Sequence, residues 1–180
     1  LMDRMYANMR RETFERDLEA KQWVIRIDDP AEKRLVGFST QTMISLHVNG
    51  ESINALFSGD TVVDRRYWGD TALASTWGNL ALQLIEDYKQ GPLYWFLISK
   101  GFRTYRYLPL FFQEFYPRCD QPTPDQPKQL VNALGLHVAP DRYDADTQII
   151  RANGAKDYVR PEYRNSASRT LPNPHIQFFA

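Results

Sequence analysis

The sequence predicts a mixed α/β (α+β) fold in which a mostly antiparallel central sheet is flanked by helices. Three observations predict it. Strand candidates at residues 23–27, 35–48 and 53–63 follow one another across short polar turns. An amphipathic helix candidate, 71–88, comes directly after them. A continuous apolar run, 93–98, then suits a strand buried on both faces.

Residues 5–21 read as a helix, because Met5, Met9, Phe14 and Leu18 recur near helical spacing among charges. Trp23 to Ile27 is the first strand candidate, and Asp28 to Lys33 is a turn by composition. Leu35 to Val48 is rich in β-branched and aromatic residues. Asn49-Gly50 is the strongest hairpin dipeptide in the chain, and it leads into Ile53 to Val63. These three strands are expected to form an antiparallel meander. In the helix that follows, Leu73, Trp77, Leu80, Leu84 and Tyr88 fall on one stripe, with Asp70 as N-cap and Gly91-Pro92 as the stop. A short helix over 102–108 is expected to be interrupted by Pro109. Residues 117–128 hold four prolines and read as a connector. Beyond it we expect a short helix at 130–136, a short strand at 147–150, a turn at Asn153-Gly154 and a polar loop over 160–174. The expected organisation is a core at 1–116, with 117–180 as a connector and extension packed on the same domain.

Composition narrows the function. The 180 residues are enough for a sizeable core, and 13% are aromatic. Basic and acidic residues number 22 each, so the basic excess of a nucleic-acid binder is missing. Local basic patches remain at Arg65-Arg66 and from Lys100 to Arg106. No run of about 20 apolar residues predicts a membrane span. Cys119 is the single cysteine, so no internal disulfide is available, which is compatible with a reducing cytoplasmic setting. His47, His137 and His175 are scattered without ligand spacing, so no metal site is expected. The start carries no signal-peptide pattern, and the missing initial Met and apolar end suggest a trimmed chain or a fragment.

The informative step is the passage from strand through loop to helix. A helix start exposes unpaired backbone N–H groups at the positive end of its dipole, where phosphate binds readily. Arg66-Tyr67-Trp68-Gly69-Asp70-Thr71 resembles the Arg/Gln-x-x-Gly-x-Gly/Ala segment of GCN5-related N-acetyltransferases. Leu35-Val36-Gly37-Phe38 is similar to the Val-Gly-Phe of that family's third strand. The strands at 53–63 and 93–98 take the places of its fourth and fifth, so the resemblance spans about residues 5–116. Thr71 departs from the family's Gly or Ala, and Asp70 puts a carboxylate near the expected phosphates. A carrier protein's pantetheine arm, with one phosphate, makes fewer demands on this loop. An ordinary helix N-terminus with a Gly in its loop is the alternative reading of the motif.

The resemblance implies an N-acyltransferase that moves an acyl group from acetyl-CoA, a longer acyl-CoA or an acyl carrier protein to a small-molecule amine, without a metal. It implies that Arg65, Arg66, Tyr67, Trp68, Gly69, Asp70 and Thr71 hold the pyrophosphate, and that the backbones of Val62 and Val63 face the pantetheine arm. Ser58-Gly59-Asp60-Thr61 is the polar break in an apolar strand, and Gly59 is expected to mark a bulge. Asp60 is the candidate base or amine-binding carboxylate; a structural Asp beside a bulge is the other reading. Ser58 is a candidate for orienting substrate. Tyr105, or its neighbour Tyr107, follows the fifth strand, where the family often places a general acid. Arg103 and Arg106 are candidates to meet an acidic substrate or carrier. Phe111, Phe112 and Phe115 would line an acyl pocket or pack a core. A non-catalytic ligand-binding or protein-interaction domain of the same fold is the competing function, and a homodimer is compatible with the tail.

Overall fold

The structure is a computed structural model, described at residues 1–89, 91–151, 158–163 and 173–179. The chain forms two compact units, Leu1–Phe96 with Ala155–Pro161, and Leu97–Gly154 with Glu162–Ala180.

The first unit is built on a four-stranded sheet in the order β2-β3-β4-β5. Its strands are β2 (Trp23–Asp29), β3 (Arg34–Val48), β4 (Glu51–Val63) and β5 (Leu93–Leu97). The pairs β2–β3 and β3–β4 are antiparallel, so the meander is present as expected, and the sheet is mostly antiparallel. The two turns explain the register. Asp29 Oδ1 accepts the N–H groups of Ala31 and Glu32 at 2.8 and 3.0 Å, which folds the first turn. Asn49 and Gly50 have φ of 54° and 86°, the mirror-image turn that matches strand twist, and Val48 pairs Glu51 across it.

The residues opposite one another sort the sheet into two faces. One face carries Phe38 and Val62, with Leu35 packed against them, and receives α1 (Met2–Met5) and α2 (Arg11–Glu19). There Phe14 meets Phe38 edge-on at 6.0 Å between centroids. The other face carries Ile25, Ser39 and Gln41, and receives α3 (Ala72–Asp87), whose Trp77 lies 4.4 Å from Trp95 of β5. Val36, Leu56 and Val62 are sealed almost completely. Burial of each such side chain contributes about 1.5–3 kcal/mol.

The N-terminal helix differs from expectation. It is two pieces, because Asn8 turns left-handed at φ 61° and β1 (Tyr6–Ala7) pairs instead with β8 (Tyr158–Val159). A partner more than 150 residues distant cannot be read from local periodicity.

The second unit holds α4 (Phe102–Tyr105), α5 (Tyr107–Phe111), α6 (Asp125–Val138), β6 (Tyr143–Asp144), β7 (Ile149–Ile150) and α7 (Pro174–Phe179). The helical break falls at Arg106, ahead of Pro109, which sits in the first turn of α5 where its missing N–H costs no hydrogen bond. For the same reason α6 starts earlier than expected, at Asp125, with Pro127 in its first turn. The short strand is confined to Ile149–Ile150, since Gln148 adopts φ 56°. The turn expected at Asn153-Gly154 lies outside the described residues. Within the expected loop 160–174, Pro161–Tyr163 forms a 3-10 turn. Gly135 of α6 faces the Tyr143 ring so closely that a Cβ would lie 2.3 Å from it, and the Tyr143 hydroxyl donates to Asn132 Oδ1 at 2.6 Å.

Candidate active site

The β3–β4 ladder contains one irregularity. Ser39 pairs Thr61 and Gln41 pairs Ser58, so the single residue Thr40 stands opposite two, Gly59 and Asp60. This is the expected bulge, with one extra residue on β4. A Cβ on Gly59 would lie 2.6 Å from Thr40 Oγ1 and 3.1 Å from Lys21 Cε, so the close approach itself requires glycine. Asp60 is half-buried in the bulge. Beyond it the ladder is regular again. The Asp64 N–H donates to the Val36 carbonyl at 2.8 Å. By antiparallel alternation the backbone groups of Val62 then face β3, and those of Thr61 and Val63 face away. The Val63 carbonyl accepts the Trp68 indole N–H at 2.8 Å.

Beside the bulge, on the α3 face, lies a buried chain of polar side chains. The Trp95 indole N–H donates to Ser58 Oγ at 2.8 Å, and Ser58 Oγ donates to Gln41 Oε1 at 2.6 Å. Gln41 Nε2 donates to Ser39 Oγ at 2.7 Å, and Ser39 Oγ meets Thr61 Oγ1 at 2.7 Å. Gln41, Ser39 and Ser58 are 0%, 3% and 4% exposed, whereas Thr61 is exposed. Burying these groups is tolerable because each is bonded. Thr40 Oγ1, on the opposite face, is buried without a bond.

The loop after β4 is a 3-10 turn, Arg65–Tyr67, capped by Asp64, whose carboxylate accepts the Arg66 N–H at 3.2 Å. Its side chains reach back to the 28–33 turn. Arg66 bonds Glu32 through two nitrogens at 2.8 and 3.1 Å and lies 3.7 Å from Asp64. Arg34 also bonds Glu32 and Asp64. Tyr67 donates to Asp29, which lowers the Asp29 carboxyl and pushes the Tyr67 phenol up to about 12. The Arg66 side chain is 58% exposed, and an exposed ion pair contributes only about 0–1 kcal/mol, so a phosphate can compete for it. Arg65 lies over the exposed Trp68 ring at 5.8 Å. Gly69 has φ 102°, which a side-chain-bearing residue adopts only with strain.

Thr71 stands at the N-cap of α3, yet it is Asp70 whose Oδ1 accepts the Ala72 N–H, at 2.7 Å. The carboxylate thus covers the first amide. Intrahelical bonding begins at Ser75, whose N–H donates to Thr71 at 2.8 Å, leaving the Leu73 and Ala74 amides outside the ladder.

No protein-family model matches this chain, and no curated protein matches it. Its likeness is to solved structures. A Trypanosoma brucei acetyltransferase is 17% identical with a TM-score of 0.38, over 59% of this chain and 71% of that one. Glucosamine-6-phosphate N-acetyltransferase from Arabidopsis thaliana is 13% identical with a TM-score of 0.43, over 61% and 76%. Ribosomal-protein-alanine N-acetyltransferase from Brucella melitensis is 13% identical with a TM-score of 0.43, over 62% and 79%. The likeness is one of fold.

Residues from Ser58 to Thr71 thus all lie in the first unit, while Tyr105 lies in the second. Tyr105 is 4% exposed, its hydroxyl donates to the Pro117 carbonyl at 3.2 Å, and burial pushes its phenol up to about 12. Phe115 is buried against it, whereas Phe111 is 61% exposed. Also in this unit, Cys119 Sγ lies 3.3 Å from His175 Nδ1, a pairing that 56 residues of separation conceal in the sequence. The sequence reading also missed Gln41, Ser39, Thr61 and Trp95. The signal for the first two was the uninterrupted polar run Ser39-Thr40-Gln41-Thr42 inside a long strand. Among the described residues, no group of three His, Cys, Asp or Glu side chains is placed to hold a metal. No helix among them is long and apolar enough to cross a membrane.

Proposed function

We propose that this chain is an N-acyltransferase that moves an acyl group from acyl-CoA or an acylated carrier protein to an amine. The observation that carries the reading is the bulge at Gly59-Asp60, which sets a half-buried carboxylate three residues before Val63, whose backbone groups face away from β3. The arginine-bearing turn and the start of α3 follow at once.

In this reading the donor's pantetheine arm runs along β4 at Val63, on the side that faces away from β3, with Val62 behind it in the core. Arg65 and Arg66 neutralise its phosphates, Arg66 exchanging Glu32 for them. Gly69 lets the backbone approach, and the Leu73 and Ala74 amides lie at the positive end of α3. Tyr67 and Trp68 shape the loop through Asp29 and Val63. Asp70, already on the first amide, favours a donor with less charge at that point, which suits a single carrier phosphate at least as well as a pyrophosphate. Asp60 takes the proton from the incoming ammonium. The free amine attacks the thioester carbonyl, and the tetrahedral adduct collapses with cleavage of the C–S bond, the departing thiolate taking up the second proton that the nitrogen gives up as the amide forms. Ser58 is too buried to touch an acceptor and acts through its neighbours.

The test is binding followed by turnover. Acetyl-CoA, a long-chain acyl-CoA and an acylated carrier protein are each titrated calorimetrically. Arg66→Glu is expected to abolish binding. Absence of binding to every donor, free or carrier-linked, overturns the proposal. Asp60→Asn is expected to lower kcat by about 100-fold or more, the usual contribution of a general base. A second reading, a non-catalytic ligand-binding domain, is favoured by the Asp70 cap and the Arg66–Glu32 pair. Donor binding without acyl transfer to any amine of a diverse panel would establish it.

A further inference from the structure

We propose that Thr61 is a ligand-contacting hydrogen-bond donor, and that Trp95, Ser58, Gln41 and Ser39 are positioning residues that fix its proton outward. The inference rests on the acyl-transfer reading and deepens it: the partner of Thr61 is the carbonyl oxygen of the acyl donor.

The direction of the buried chain follows from its inner end. An indole N–H only donates, so Ser58 Oγ accepts from Trp95. Ser58 must then place its own proton, and Gln41 Oε1 receives it at 2.6 Å. That fixes the amide, whose nitrogen end donates to Ser39 Oγ at 2.7 Å. Ser39, 3% exposed, passes its single proton to Thr61 Oγ1 at 2.7 Å. Thr61 is exposed, and its proton is left to point away from the sheet. Turning the amide round would make Ser58 accept from both Trp95 and Gln41, and its proton would need another acceptor inside a residue that is 4% exposed. The observed order avoids that desolvation cost.

All the bonds run the same way, so each polarises the next and the terminal hydroxyl becomes a stronger donor. Thr61 is also next to Asp60 and one residue from Val62 on β4, and its backbone groups face away from β3. A carbonyl oxygen lying along that edge meets a hydroxyl proton whose direction is set before the ligand arrives. Such preorganisation is what stabilises a developing oxyanion.

The experiment compares acetyl-CoA with ethyl-CoA, a thioether that lacks only the carbonyl oxygen, by calorimetry. The same two groups on a carrier protein's phosphopantetheine form a second pair. The wild-type protein is expected to prefer the carbonyl-bearing member by roughly five- to tenfold, the worth of one hydrogen bond. Thr61→Val should remove the preference and Thr61→Ser should keep it. Gln41→Glu supplies a readout that loss of packing would not imitate. When ionised, that carboxylate accepts from both Ser58 and Ser39, so Thr61 must donate inward; when protonated, it again donates to Ser39. The preference should therefore weaken as pH rises in Gln41→Glu, and stay level in wild type over the same range. Equal binding of both members by wild type, or an unchanged preference in Thr61→Val, overturns this inference and leaves the acyl-donor reading intact. No binding of either pair overturns both.

Discussion

Gly59→Ala tests whether the bulge is a packed feature. The added methyl would lie 2.6 Å from Thr40 Oγ1, well inside contact distance, and 3.1 Å from Lys21 Cε. Lys21 cannot withdraw freely, because its side chain is 8% exposed, its Nζ is bonded to Asp17 at 2.9 Å, and it lies over Phe57. Overpacking of this kind costs about 1–3 kcal/mol. Gly59 does not occupy the left-handed region, so alanine brings no backbone strain and lowers the entropy of the unfolded chain, returning roughly 0.4–1 kcal/mol. The net expectation is a loss of about 1–2 kcal/mol, read as a fall of roughly 0.5–1 M in urea midpoint at a slope of about 2 kcal/mol per M. Thr40→Ala alone should be nearly neutral, since it removes a methyl and also a hydroxyl buried without a bond. In the Thr40→Ala background most of the Gly59→Ala loss should vanish, a coupling of about 1 kcal/mol or more. Equal losses in both backgrounds would refute the contact, and a wild-type midpoint in Gly59→Ala would refute the bulge packing altogether.

Gln41→Leu is expected to destabilise by about 2–3 kcal/mol by urea denaturation, because it leaves the buried Ser58 proton without its acceptor and Ser39 without its donor. Tyr67→Phe should lower stability at neutral pH and flatten its fall in acid: Asp29 is lowered in the folded state, so its contribution is present above the ordinary carboxylate range and lost as pH falls through the folded value, and the variant lacks the main cause of that lowering, so the two proteins converge in acid. An acid titration followed by tryptophan fluorescence checks it. Arg151→Ala should act likewise in the second unit, where Arg151, the largest cause, holds Asp144 at about 2; the affected window runs from about pH 4 down to about 2. Tyr105→Phe should cost about 1 kcal/mol through loss of its bond to the Pro117 carbonyl, measured by thermal denaturation.

The local parts of this protein were legible in the sequence. Enrichment in β-branched and aromatic residues and the Asn49-Gly50 turn gave the meander, the Leu73–Tyr88 stripe gave α3, and a glycine in a polar break gave the bulge. Each depends on residues close in the chain, whose backbone preferences act wherever the segment ends up. Partnerships between distant residues were decided only by the tertiary structure. Residues Tyr6–Ala7 left a helical pattern because Tyr158–Val159 offered ladder bonds. The Arg66 guanidinium, expected to await a phosphate, found Glu32 across the sheet edge. The chain from Trp95 to Thr61 needed three strands in one register before any of its hydroxyls had a direction. A sequence names the donors and acceptors; which of them must share a proton is settled by burial, since only there does leaving one unpaired cost enough to fix the arrangement.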